Sequence, residues 1–210
     1  QGTLTYAWSN GGGTAAVGNA LPAGVYNLTV TDDNSCAVTA TTSILEPAAV
    51  SVTMVDTSVT CNGGNNGTAI ATGIGGTGTT YSYLWDNMLT IQTYSGLFAG
   101  VYSVSVSDAN QCMQISTVTI SEPSALSVSF SSVTISCNGD SNGEANAIAN
   151  GGGSSVYLYL WDNGETNSLI TGLNAGTYFL TVGDANCSIT ADINFNNPEP
   201  VLSPSLNDIN

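Results

Sequence analysis

The 210-residue sequence predicts an all-β chain of tandem β-sandwich repeats, and three observations carry that class. The first is a period. Trp8, Trp85 and Trp161 stand 77 and 76 residues apart, and Tyr26, Tyr102 and Tyr178 stand 76 and 76 apart. Cys36, Cys112 and Cys187 are separated by 76 and 75, Cys61 and Cys137 by 76, and Glu46-Pro47, Glu122-Pro123 and Glu199-Pro200 keep the step to within a residue. One register held by so many marker types is the signature of a domain array. The second is alternation: apolar residues recur with period two, and no segment shows helical spacing over ten residues. The third is the layout of about seven short strands, turn signals every 8–12 residues or so, and a Trp on the third strand, which is the pattern of an immunoglobulin-like sandwich. On this reading residues 1–47 are the C-terminal half of a truncated repeat. Residues 48–123 and 124–200 are complete repeats of about 76 residues, residues 201–210 with Leu202 and Leu206 open a further repeat or linker, and the repeats stack head to tail as a rod.

The elements of one repeat follow in order. Val50, Val52 and Met54 alternate with Ser51, Thr53 and Val55, a half-buried strand. Ser58-Val59-Thr60-Cys61 continues it to a turn at Asn62-Gly63-Gly64-Asn65-Asn66-Gly67. The second strand is Thr68 to Thr72, ended by Gly73-Ile74-Gly75-Gly76. The third is Tyr81 to Trp85, stopped by Asp86-Asn87, and an irregular stretch over 88–98 follows. Val101 to Ser107 is the clearest alternation in the chain; Asp108-Ala109-Asn110-Gln111 turns it, and Met113 to Ile120 runs back to Glu122-Pro123. Leu97-Phe98-Ala99-Gly100-Val101-Tyr102 sets a Leu, a Gly and a Tyr at the entry to the penultimate strand, where a tyrosine corner ties its hydroxyl to nearby backbone. Leu21 to Tyr26 and Leu173 to Tyr178 repeat it.

Composition removes whole classes of function. The chain has no Lys, Arg or His against 15 Asp and Glu, a formal net charge of -15. Nucleic-acid binding needs cations to displace counterions from phosphate, so it is excluded, as are polyanions and anionic membrane surfaces. Nucleophile systems built on His lack their base, Schiff-base chemistry lacks its amine, and a Lys–Asn isopeptide bond cannot form. Charged residues are only 7% and hydrophobic residues 42%, which argues for folded domains rather than an acidic tail. No apolar run is long enough to span a bilayer. No secretion signal is visible at Gln1, which reads as mid-repeat, so the segment is expected to continue upstream.

The string Val-Thr-Cys-Asn-Gly-Gly, an Asn-Gly turn, Tyr-x-Tyr-x-Trp, Leu-x-Ala-Gly-x-Tyr-x-Val-x-Val-x-Asp-x-Asn-x-Cys and Glu-Pro resembles the SprB repeat, over essentially the whole chain. That repeat occurs in very large cell-surface adhesins of gliding and other Bacteroidetes. The resemblance implies an extracellular location, secretion by the type IX system, and a role in adhesion or gliding motility. One departure stands out. Many members read Asn-Gly-Cys at the last turn, whereas this chain reads Asn34-Ser35-Cys36, Asn110-Gln111-Cys112 and Asn186-Cys187. The third copy is a residue short, so its turn should be tighter.

In a secreted repeat, recurring cysteines are read as disulfides, with a free structural thiol as the alternative. With seven alternating strands the first and last turns lie at opposite ends of the sandwich, roughly 20–25 Å apart, beyond the reach of about 7 Å that a disulfide allows between Cα atoms. Stacked repeats instead bring the first-turn Cys of one to the last-turn Cys of the next. Topology thus favours a Cys61–Cys187 clasp across the joint, with Cys36, Cys112 and Cys137 paired beyond these repeats. The scheme Cys61–Cys112 with Cys137–Cys187 stays open and requires a six-strand count.

Asp108 with Asn110, Asp184 with Asn186, and the run of Asp140, Asn142 and Glu144 offer oxygens of the kind Ca²⁺ takes. Asp and Asn are also the ordinary residues of turns, whose backbone they cap, and that reading outweighs the metal. Repeat two has no carboxylate at 65–68, so a calcium site there is not a shared feature. Tyr81, Tyr83 and Trp85, with Tyr157, Tyr159 and Trp161, could stack on a sugar, but a strand-three Trp belongs in the core. Trp8, Trp85, Trp161, Tyr26, Tyr102 and Tyr178 are therefore read as structural. No carboxylate pair is concentrated for glycoside hydrolysis.

The function these features imply is a stalk segment of a secreted surface adhesin, non-enzymatic and without cofactor. Its partners would be its neighbouring repeats and an unidentified surface glycan or substratum. Two alternatives remain: a filament subunit with strand donation between copies, which would also complete the truncated half-repeat, and a carbohydrate-binding module with an exposed aromatic face.

Overall fold

The structure, a computed structural model, describes residues 2–200; the expected opening strand at 201–210 lies outside the described residues. Every regular element among them is a strand. β1 (Thr5–Trp8), β2 (Gly24–Thr31) and β3 (Ala37–Ile44) form one antiparallel sheet in that order. Next come β4 (Ser51–Thr57), β5 (Gly67–Ile74), β6 (Ser82–Trp85), β7 (Thr93–Leu97), β8 (Gly100–Ser107) and β9 (Met113–Ile120), in two sheets ordered β4-β5-β7 and β6-β8-β9. The pattern then recurs as β10 (Ser127–Val133), β11 (Gly143–Asn150), β12 (Leu158–Trp161), β13 (Leu169–Leu173), β14 (Gly176–Gly183) and β15 (Ser188–Phe195), ordered β10-β11-β13 and β12-β14-β15. The protein is thus all-β and built of tandem immunoglobulin-like repeats.

By compactness the chain divides into two units. One runs to Ser51 and includes Gly73–Tyr81 and Ser107–Met113; the other comprises Val52–Thr72, Ser82–Val106 and the chain from Gln114. The third repeat lies wholly in the second unit, and its core explains its strands. Ala145 and Ala147 on β11 alternate inward, as do Leu180 and Val182 on β14, and they join Trp161, Ile170, Leu173, Ile135 and Phe195 in one buried cluster. Period-two burial of this kind is what a sheet with one wet face requires.

Each complete repeat has six strands, where seven were expected. The stretch after Trp85 was read as irregular, but Thr93–Leu97 is a strand that pairs with β5. Five residues, one of them Gly96 with φ 76°, leave too little alternation to recognise. In the other direction, β4 ends at Thr57, so Ser58–Cys61 does not continue it.

The six-strand count does not bring the first and last turns together. In the third repeat β11 runs antiparallel to both β10 and β13, and β14 antiparallel to both β12 and β15. β13 and β14 are joined by two residues, so they meet at one end of the sandwich. It follows that β12 and β13 run in the same direction, and that residues 162–168 cross between sheets without reversing the chain. This unreversed crossing supplies the parity that a seventh strand was expected to supply. Cys137, after β10, and Cys187, before β15, therefore lie at opposite ends of one repeat.

Candidate functional site

The turn that closes each repeat is built on an aspartate. Asp184 accepts N–H donors from Asn186 (2.8 Å) and Cys187 (2.7 Å) on Oδ1, and from Gly153 (2.7 Å) on Oδ2. Asp108 does the same with Asn110 (2.9 Å) and Cys112 (2.8 Å), and with both the amide and the hydroxyl of Thr77. Asp32 binds the amides of Asn34 and Cys36. The short Asp side chain caps the backbone of its own turn while its second oxygen reaches the loop after the second strand. Asp108 and Asp184 are the buried polar side chains of the described chain. The Thr77 amide, aided by those of Cys112 and Asn110, holds the Asp108 carboxyl below the usual carboxylate range, and the Asn186 and Cys187 amides do so for Asp184. The third turn is the tighter one: the Asp184 amide bonds to the carbonyl three residues on, the Asp108 amide to that four residues on.

The calcium candidates lie in and around these turns. The Asp108 and Asp184 oxygens already face N–H donors, and for Asp108 an O–H as well; Asn110 and Asn186 reach them with their backbone amides. Asn142 is spent on the backbone and hydroxyl of Ser136, Asp140 is exposed, and Glu144 lies within β11. No group of three His, Cys, Asp or Glu placed to hold a metal ion exists among the described residues.

One glycine sits under each of Asp108 and Asp184. Gly76 (φ 69°) and Gly152 (φ 79°) adopt left-handed backbone, and a Cβ on either would run into the Asp108 or Asp184 carboxylate. Their amides donate to Ala48 O (2.7 Å) and Ser124 O (2.9 Å), in the segment that enters the repeat. The entering chain is thereby fixed to the closing turn through one shelf.

The Cys-Asn-Gly turn after β4 grips the outgoing segment. Ser121 O accepts from the Val59 amide (3.1 Å), Glu122 Oε2 from the Gly63 amide (2.7 Å), and Pro123 O from Asn62 Nδ2 (3.1 Å). With the Gly152–Ser124 bond, each residue from Ser121 to Ser124 is hydrogen-bonded to one repeat or the other. In the third repeat Asn138 Nδ2 and the Gly139 amide make the same contacts with Pro198 O (2.9 Å) and Asn197 Oδ1 (3.2 Å). The structural counterpart of Glu122-Pro123 is therefore Asn197-Pro198, not Glu199-Pro200. The residue missing from the Asp184 turn shortens the step by one, and the neighbouring Glu-Pro disguises it.

At this joint Cys61 and Cys187 are bonded, with Cα atoms 5.8 Å apart. Each sulfur lies against a carbonyl across the joint: Cys61 Sγ is 3.2 Å from Asn186 O, and Cys187 Sγ is 3.4 Å from Thr60 O. Cys36, Cys112 and Cys137 are exposed free thiols. The alternative in-repeat pairing, Cys61–Cys112 with Cys137–Cys187, is not made. The Cys-turn of one repeat and the Asp-turn of the next are thus two halves of a covalent joint.

The aromatic markers serve the interior. Trp85 and Trp161 are buried, and their indole nitrogens donate to Ile91 O (2.7 Å) and Asn167 O (3.0 Å). An aromatic platform for sugars built on them is therefore absent. Trp8, in the three-stranded half-repeat, is half-buried and donates to Ala15 O. Tyr26, Tyr102 and Tyr178 each donate their hydroxyl to the carbonyl four residues back, Pro22, Phe98 and Asn174. Sequence reasoning missed Asn62, Asn138 and the glycine shelf. Their recurrence at the repeat period was the available signal.

Residues 53–90 and 129–166 match the SprB repeat family, just over a third of the chain in two separate segments. No match was found among curated proteins. Solved structures similar to this chain include Sidekick-1 immunoglobulin domains 1–5, at 12% identity and a TM-score of 0.37, covering 91% of this chain and 51% of that one. The N-terminal eight Ig domains of Down Syndrome Cell Adhesion Molecule match at 11% and 0.38, covering 92% and 32%. The S-layer protein rSbsC(31-844) matches at 13% and 0.37, covering 96% and 36%. This chain thus spans between about a third and a half of those proteins.

Proposed function

We propose, for a chain that carries two SprB repeats, that it is a spacer segment of a secreted cell-surface adhesin, and that its work is mechanical. The observation that carries this reading is the joint. Linker residues Ser121–Ser124 are bonded to both repeats, and a disulfide closes the same contact. Such a joint fixes the spacing between domains, as a stalk needs. A disulfide at the surface also fits an oxidising compartment, and no helix of the described chain is long and apolar enough to cross a membrane. Export by the type IX route and a part in gliding belong to the same reading through the repeat family. Burial of Trp85 and Trp161 turns the reading away from a sugar-stacking module. Antibodies against the repeats should label intact producing cells without permeabilisation, and deletion of the array should reduce surface attachment. Labelling only after permeabilisation would contradict the proposal.

A further inference from the structure

We infer that the Cys61–Cys187 bond makes β4 and β15 the line that carries tension through the repeat pair and removes the residues between the two cysteines from the path of force. This rests on the spacer reading above, since it concerns what happens when the chain is pulled. Tension arriving from the first repeat enters at Val50 and runs along β4 to Cys61. Without the disulfide it must pass on through β5 to β9, leave by Ser121–Ser124, and traverse the third repeat from β10 to β15. Each sandwich would then be stressed between its first and last strands, which lie in different sheets.

With the disulfide, force crosses from Cys61 to Cys187 and continues along β15 to Asn197-Pro198. Both strands sit at sheet edges: β4 is bonded only to β5, and β15 only to β14. A strand already rises about 3.3 Å per residue, close to the roughly 3.3–3.6 Å ceiling for a fully extended chain, so neither has slack to release. Strands β5 to β14, with the Trp85 and Trp161 cores, hang beside the line and carry no end-to-end tension. The cores keep their shape under load because load runs along one edge strand of each sandwich and not between its first and last strands.

The test is single-molecule extension of the full chain held at its two ends, with oxidised protein, the same protein reduced by dithiothreitol, and the Cys61→Ser variant. The cysteines are 126 positions apart, so the reduced and variant chains should release about 440 Å more contour length than the oxidised chain. A Cys112→Ser control should behave as the oxidised parent. Peptide mapping of the same oxidised sample separates the two ways of failing. In molecules that contain the 61–187 peptide pair, thiol labelling under tension of the buried site in a Val106→Cys or Val182→Cys variant overturns the load path alone, and protection of both sites is the result expected. Absence of that pair overturns the clasp and the load path with it.

Discussion

Asp184 and Asp108 show how one side chain settles a whole turn. Each replaces solvent with N–H donors from its own turn and from the neighbouring loop, and each is held in its charged form by them. A carboxyl whose folded pKa lies below its ordinary value of 3.8 contributes stability that is complete above that value and is lost as pH falls through the depressed folded value. Melting temperature should therefore hold steady down to about pH 4 and decline below it. The double variant Asp108→Asn, Asp184→Asn should melt lower at neutral pH and show a shallower acid limb. An unchanged acid limb in the variant would remove these two groups from the account. Position 111 makes the opposite argument. Gln111 stands at φ 65° and Ser35 at φ 64°, left-handed backbone in the place where SprB repeats commonly have glycine. Relief of a left-handed side chain, about 1–2 kcal/mol, outweighs the added freedom of glycine in the unfolded chain, about 0.4–1 kcal/mol. Gln111→Gly should raise stability by about 0.5–1 kcal/mol in chemical denaturation; a loss would show that the side chain holds something the turn needs.

At the scale of elements, the glycine shelf tolerates little change. Gly152→Ala puts a Cβ into left-handed backbone and against the Asp184 carboxylate. It should cost at least about 1–2 kcal/mol from the backbone alone, read as a lower denaturation midpoint, while alanine at exposed Gly164, where a Cβ meets nothing, should cost only its own backbone strain. The strands were largely legible beforehand because alternation and a buried face go together: Val104 and Val106, or Leu180 and Val182, declare their side of the sheet. The tyrosine corner was legible for a similar reason, since a fixed Leu, Gly and Tyr spacing specifies one local geometry. β7 was not. A five-residue strand with a glycine inside it, reached by a crossing that does not reverse the chain, leaves no periodic trace. Asn62 was equally silent, because an Asn-Gly pair reads as a turn whether or not its amide holds Pro123. The direction of the capping bonds was not legible either: sequence shows that carboxylates and amides are adjacent, and only coordinates show N–H groups pointed at the oxygens.

For the molecule as a whole, the joint decides the behaviour. Cross-linking positions 126 apart removes loop entropy from the unfolded chain, about 5 kcal/mol in the chain-entropy account. Reduction should therefore lower the melting temperature of the second and third repeats together. The chain carries no positive side chain to pair with its acids, so the joint coheres through backbone hydrogen bonds, the Asn62 and Glu122 side chains, and sulfur. Three exposed thiols remain, in places equivalent to the two bonded ones: Cys137 opens a Cys-Asn-Gly turn as Cys61 does, and Cys36 and Cys112 end Asp-turns as Cys187 does. The measurement that bears most directly on the whole account is a disulfide map of the native, alkylated protein under non-reducing conditions. The account predicts one cross-linked peptide pair, Cys61 with Cys187, and alkylation at Cys36, Cys112 and Cys137. Recovery of Cys61 with Cys112 and of Cys137 with Cys187 would contradict it, closing each repeat on itself and leaving the joint without its covalent bond.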